Sequence, residues 1–132
     1  AAAGIEADRF ELVAADLATW TSDAVFDLVT ASFLHSWEAE FPREEILRRA
    51  SGFVAPGGHL LIISHATPPP WASLEMHQHH DFPTPEAEVA ALALNPDDWT
   101  VLVAETRERN AIGPNGVSAD LLDGVVLVRR NG

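Results

Sequence analysis

Apolar positions along the chain fall into short runs separated by turn residues, and their period changes from segment to segment. Residues 10–15 (FELVAA) form a brief apolar run closing on Asp16, which predicts a buried strand. Residues 18–24 are polar and turn-like. Residues 26–33 (FDLVTASF) predict a second strand, apolar on both faces, as in a parallel sheet covered on both sides. From Pro42 the period lengthens. Ile46, Leu47, Ala50, Phe53 and Val54 mark one face of a helix. Pro42 suits its first position, where a missing N–H costs nothing. Glu44–Arg48 and Glu45–Arg49 are i,i+4 pairs on its outer side. Pro56-Gly57-Gly58 is a stop-and-turn signal, and residues 59–65 predict a third strand.

Residues 67–83 break the pattern. They hold Pro68-Pro69-Pro70, the apolar anchors Trp71 and Leu74, and three histidines. Proline stiffens such a stretch, so an ordered excursion over the C-terminal end of the sheet is expected. Thr84-Pro85-Glu86 opens another helix with a cap, a first-turn proline and an acid at the positive dipole end. Val89, Leu92 and Ala93 form its inner face, and Asn95-Pro96 ends it. Residues 99–106 and 125–130 predict two more strands, with Gly113-Pro114-Asn115-Gly116 in the long turn between them. Alternating strands and helices imply a mostly parallel sheet with helices on both faces. The closing pair has no helical crossover, so the last strand should run antiparallel. The chain opens on AAAG, which reads as the last turn of a helix with no cap before it. That predicts the second half of a larger α/β domain, its first two βα units missing.

Composition narrows the function classes. The 132 residues make one domain, and 47% hydrophobic content is ample for a core. No apolar run approaches the ~20 residues of a membrane span, and no leader pattern is visible. The absence of cysteine excludes disulfides and thiolate metal sites. Eight basic against twenty acidic side chains leave a net charge of −12. Such a surface repels polyphosphate and anionic lipid, which points away from nucleic acid and membrane and toward small-molecule partners. A cytoplasmic location is expected.

Several residues could carry chemistry. Asp16 ends a strand at the ligand-binding edge of an open parallel sheet. There it could accept from a ribose or an exocyclic amine, or simply cap a turn over residues 17–20, and the sequence leaves both readings open. His35 follows the second strand and His65 ends the third, at the same edge. Trp37 and Phe41 could sandwich a planar ring or pin the next helix. His77 and His79 stand at i,i+2, on one face of an extended segment, with His80, Glu75 and Asp81 beside them. Such a set could hold a divalent ion. The favoured reading is a polar substrate loop with no metal. Imidazoles titrate near neutrality, so one of these histidines could act as a general base.

The runs ELVAADLATW, FDLVTASFLHSW and PREEILRRASGFVAPGGHLLIISHA together resemble the C-terminal portion of class I S-adenosylmethionine-dependent methyltransferases, over essentially the whole chain. The resemblance implies a Rossmann-like sheet ending in an antiparallel hairpin. It implies transfer of a methyl group from S-adenosylmethionine to a small-molecule acceptor. Asp16 and Leu17 match the acidic-apolar pair that recognises adenine in that family. Ser32, Phe33, Leu34 and His35 match the strand end beside the methionine part of the cofactor. The cofactor contacts so implied are Asp16, Leu17, Ser32, Phe33 and His35. His35 and His65 are the candidate catalytic bases, and Trp37, Trp71, His77, His79 and His80 the candidate acceptor contacts. The family's glycine-rich loop and the acidic residue holding the ribose have no counterpart in these residues. Residues 1–132 alone are therefore expected to bind cofactor weakly and to be inactive. In the family's sheet order two strands separate the first strand here from residues 26–33. That leaves an open edge through which a homodimer is expected. An alternative from another class is a non-catalytic metal-binding or assembly module built on the His-rich loop and that edge. A third, half of a nicotinamide-dependent reductase, fits the terminal hairpin and the Leu34-His35 motif less well.

Overall fold

A computed structural model describes residues 4–36, 40–68, 70–71 and 82–132. After a 3-10 turn at Ala7–Arg9 come β1 (Phe26–Ser32), α1 (Arg43–Ser51), β2 (Val54–His65), α2 (Pro85–Ala91), β3 (Trp99–Ile112) and β4 (Ser118–Arg130). The four strands lie in the order β1-β2-β4-β3. β1 pairs parallel with β2, whereas β4 is antiparallel to both β2 and β3. The sheet is thus mixed, with one parallel pair, and not mostly parallel as the alternation of elements suggests. The reason is the turn after Ile112. Gly113 donates to the Val117 carbonyl at 2.9 Å and Gly116 takes φ +76°, closing a hairpin too short for a crossover. β4 then returns between β2 and β3, and both its pairings are antiparallel. The expected antiparallel last strand is what the structure shows.

Strand alternation sorts the side chains into two faces. Leu60 and Ile62 of β2 and Val126 and Val128 of β4 are fully buried on one of them. Leu47 of α1, together with Val89 and Leu92 of α2 and its end, packs on that same face. Among the described residues both helices therefore cover one face, where the alternating pattern predicts cover on both. α2 forms for the reasons its sequence offers: the Thr84 hydroxyl accepts from Ala87 N–H at 3.1 Å, and Pro85 follows it. α1 stops at Ser51, so Phe53 and Val54 lead into β2, where the Phe53 carbonyl accepts from Phe26 N–H at 2.7 Å.

Three further expectations change. Residues 10–15 form no strand, and Leu12 is 88% exposed. An extended segment becomes a strand only with a hydrogen-bonded neighbour, and none lies beside it among the described residues. β3 and β4 run well past residue 106 and back to Ser118, because the polar residues between still alternate and pair across the ladder. Asn110, for example, bonds Ser118 and Asp120. Pro56-Gly57-Gly58 lies within β2 as a bulge, across which the register jumps from Phe26↔Val54 to Leu28↔His59. Gly57 has φ +81°, and a Cβ on Gly58 would lie 2.9 Å from the carbonyl oxygens of Ala55 and Asp27.

The two glycines should respond differently to alanine. Gly57→Ala meets open space and should cost about 1–2 kcal/mol through its backbone conformation alone. Gly58→Ala drives a methyl group into two backbone carbonyls and should cost about 1–3 kcal/mol by overpacking and loosen the β1–β2 pairing as well. Urea unfolding measures both. A Gly58→Ala protein as stable as the parent would remove the bulge.

Candidate functional site

The site is assembled at the C-terminal ends of the parallel strands β1 and β2, the edge where open α/β sheets bind ligands. β1 ends at Ser32. Phe33 still donates its N–H to the Ile63 carbonyl at 2.7 Å, then turns the chain with φ +55°, a left-handed conformation uncommon for a bulky residue. The Phe33 carbonyl accepts from His35 N–H at 3.0 Å, which folds the chain back over the strand end. That turn brings four rings together. Phe33 lies 4.7 Å from the His65 ring centroid, and His35 stacks on His65 at 5.4 Å. Phe82 sits edge-on to both imidazoles, at 5.2 Å and 5.9 Å. The backbone N–H of His65 donates to His35 Nε2 at 3.2 Å, so that nitrogen carries a lone pair and not a proton.

His65 stands opposite Asp123 in the β2–β4 register. Asp123 is buried and receives a two-point contact from Arg109 of β3, at 2.7 Å to Nε and 3.3 Å to Nη2. The Arg109 guanidinium also lies over the Phe33 ring at 5.5 Å. Phe33, His65, Asp123 and Arg109 thus form a row across all four strands. Burial holds the His65 pKa below its ordinary value. Asp123 opposes that shift, and Arg109 adds to it. Its Nδ1 is buried with no hydrogen-bond partner among the described residues, so a proton added there would have nothing to receive it. The hydrogen bond to Asp123 holds the Arg109 guanidinium above its already high value.

A second polar chain runs behind the rings. The Ser64 hydroxyl donates to Glu88 Oε2 at 3.0 Å, and the other oxygen of Glu88 is paired with Arg43. Arg43 Nε donates to the Leu34 carbonyl at 2.8 Å. Glu88 is only 2% exposed, so this chain ties β2, α2, α1 and the loop after β1 through a buried charge. On the far side of α1, Glu44–Arg48 forms the expected i,i+4 pair at 3.5 Å. Arg49 instead donates to the carbonyls of Ala18 and Leu17, at 2.6 Å and 3.3 Å.

Asp16 opens the turn over residues 17–19, its Oδ1 accepting from Ala18 N–H at 2.9 Å. The capping contact is therefore made. Leu17 and Ser32 line one groove of about 360 Å³ beside β1, with Trp20, Leu34 and Phe53 among its walls. The structure thus brings Phe33, His35 and His65 into one cluster, and Leu17 and Ser32 into one groove. Trp71 packs on the hairpin turn, where a Cβ at Gly113 would lie 2.6 Å from its ring. Trp37, His77, His79 and His80 lie outside the described residues. Among the described residues no cluster of potential metal ligands occurs, and no helix is long and apolar enough to cross a membrane.

Sequence reasoning missed Arg109, Asp123, Glu88, Arg43 and Phe82. Glu88 was detectable, since Pro85, Glu88 and Leu92 share one helical face. Arg109 and Asp123 depend on the cross-strand register, for which a single sequence carries little signal.

No protein-family model matches the chain, and no curated protein matches it by sequence. Solved structures do. TehB from Haemophilus influenzae superposes with TM-score 0.60 at 14% identity, over 91% of this chain and 40% of its own. The N-methyltransferase NodS from Bradyrhizobium japonicum WM9 gives TM-score 0.56 at 19% identity, over 95% of this chain and 64% of its own. A structure from work on conversion of a disulfide bond into a thioacetal group during echinomycin biosynthesis gives TM-score 0.49 at 22% identity, covering 88% and 52%. The chain therefore shares the α/β fold of TehB and of NodS. The chain spans less than two thirds of the length of each of these structures.

His65 yields a pH prediction. Its folded pKa lies below the unfolded value, so the unfolded chain binds more protons as pH falls through that range. Its contribution is intact above the unfolded value near 6.5 and is lost as pH falls through the folded value. The Tm of the parent protein should drop more steeply between pH 7.5 and 5 than that of His65→Gln. Parallel curves would remove the burial argument.

Proposed function

We propose that the protein transfers a methyl group from S-adenosylmethionine to a small-molecule acceptor. The observation that carries the reading is the juxtaposition of Phe33, His35 and His65 at the C-terminal ends of β1 and β2, in a fold that superposes on that of an N-methyltransferase with TM-score 0.56. The residues present fit part of the cofactor. The groove beside β1 is largely apolar and of ligand size, with Leu17 and Ser32 on its walls, and Arg49 holds the turn that carries Leu17. In this reading Asp16 and Leu17 address the adenine, and Ser32, Phe33 and His35 face the methionine part. When bound, the cofactor supplies an activated sulfonium methyl, so positioning provides much of the catalysis. His65, its pKa lowered by burial, is the proposed acceptor of the proton that an acceptor hydroxyl or amine releases, with His35 as the second candidate. Trp37, Trp71, His77, His79 and His80 are the proposed acceptor contacts.

Asp16 separates this reading from a purely structural one. In calorimetry on the complete protein, Asp16→Ala should weaken S-adenosylmethionine binding by about 1–3 kcal/mol, the cost of unpaired polar groups. Asp16→Asn preserves the turn cap. It replaces one acceptor oxygen with a donor, and should still weaken binding. Unchanged affinity in both variants would return Asp16 to its cap.

The acidic surface supports a small-molecule partner over nucleic acid or membrane. Among the described residues β1 is hydrogen-bonded on one side only, and its Phe26 and Leu28 are exposed. Such an edge favours pairing with a second copy. Residues 1–132 on their own should scatter light as a dimer or larger species at micromolar concentration. A dilution-resistant monomer would defeat the edge argument.

A further inference from the structure

We propose that Arg109 binds a carboxylate, and that the ligand of this site is a small acid whose ring-bearing body rests on the Phe33–His65–Phe82 rings. This rests on the methyl-transfer reading for its name as acceptor, but the binding site stands on its own geometry. All eight cationic side chains of the protein are arginines, and most are committed elsewhere. Arg43, Arg48, Arg49 and Arg130 donate to backbone carbonyls. Arg107 is paired with Glu105. Arg109 is the cation that reaches the rings.

The way Arg109 is held leaves part of it for a ligand. A guanidinium carries five N–H donors in a planar fork. Asp123 engages Nε and one N–H of Nη2, along one side of that fork. The two donors on Nη1 and the second on Nη2 point along the other edges. The exposures agree: the side chain of Asp123 is 9% exposed and that of Arg109 is 44%. Asp123 is therefore a buttress that fixes the plane of the guanidinium, and the end of the fork is the accessible part. A planar carboxylate matches that end with two parallel hydrogen bonds. Phe33 beside it is 38% exposed, and its ring is suited to an aryl group. The net charge of −12 opposes long-range capture of an anion, so affinity must come from these short contacts, and uncharged analogues should be discriminated against strongly.

Benzoate and the isosteric benzamide are the probes, titrated into the 15N-labelled full chain and followed at the Arg109 Nε–H and the Phe33 ring protons. Benzoate should produce saturable shifts at both, with benzamide weaker by about tenfold or more, as expected for hydrogen bonds to a charged group. Arg109→Met should lower benzoate affinity by a similar factor, and Arg109→Lys should recover part of it. Equal response to the two probes in the parent protein would overturn the proposal without any variant. So would benzoate affinity unchanged in a folded Arg109→Met. S-adenosylmethionine binding by the complete protein reports separately on methyl transfer: its absence there alongside intact benzoate selectivity would end that reading and leave the carboxylate site.

Discussion

The pairing of β2 with β4 is the constraint on which the rest depends. It joins the parallel strand β2 to the returning arm of the hairpin over seven residue pairs, from His59↔Arg129 to His65↔Asp123. Its buried side holds Leu60, Ile62, Val126 and Val128, against which both helices pack. Truncating any one of these to alanine would cost on the order of 2–5 kcal/mol. Its other side ends in the candidate site. Because side chains alternate with period two, a slip of one residue would move Asp123 to the helix-covered face and take Arg109 with it. The core register and the site register are the same register.

Two charged arrangements flank this ladder, and they differ in kind. Glu88, with Arg43 and Ser64, is enclosed beneath α2. Removing one partner would strand the other in a low-dielectric interior, at a cost of several kcal/mol. Its apparent use is geometric, since the same Arg43 holds the Leu34 carbonyl, next to the residues that turn back over the strand ends. The Arg109–Asp123 pair has one buried and one half-exposed member, and so can hold its shape while meeting a ligand. One network fixes the loop, and the other offers a charge.

Legibility from sequence varied with how local the cause was. The start of α2 was readable, because the Thr84 cap, Pro85 and the acids of the first turn act within four positions, but the helix ends at Ala91 and Ala93 turns out of it with φ +52°, short of Asn95-Pro96. β1 and the end of β2 were readable from their apolar runs, and with them the positions of His35 and His65 at one edge. The run before Asp16 was misjudged for a reason that lies outside it: Leu12 and Val13 have strand character, but a strand needs a neighbour. The full lengths of β3 and β4 are not legible, because the charged stretch from Thr106 to Asn110 carries no apolar run to mark a strand, whereas cross-strand partners make it ladder.

By itself the sequence determined the short-range features of this protein: where helices begin, which runs are apolar enough to be strands, that the final pair is antiparallel, and that His35 follows one strand and His65 ends the next. These follow from steric and hydrogen-bonding preferences spanning a few residues. Tertiary structure alone decided that β4 inserts between β2 and β3, that both described helices share one face, and that Glu88 lies buried with Arg43. It also decided that Arg109, forty-four residues beyond His65 in the chain, meets it across Asp123. Such contacts arise from how strands order and register in a sheet, and that order is set by the burial of the whole apolar face, not by any segment within it.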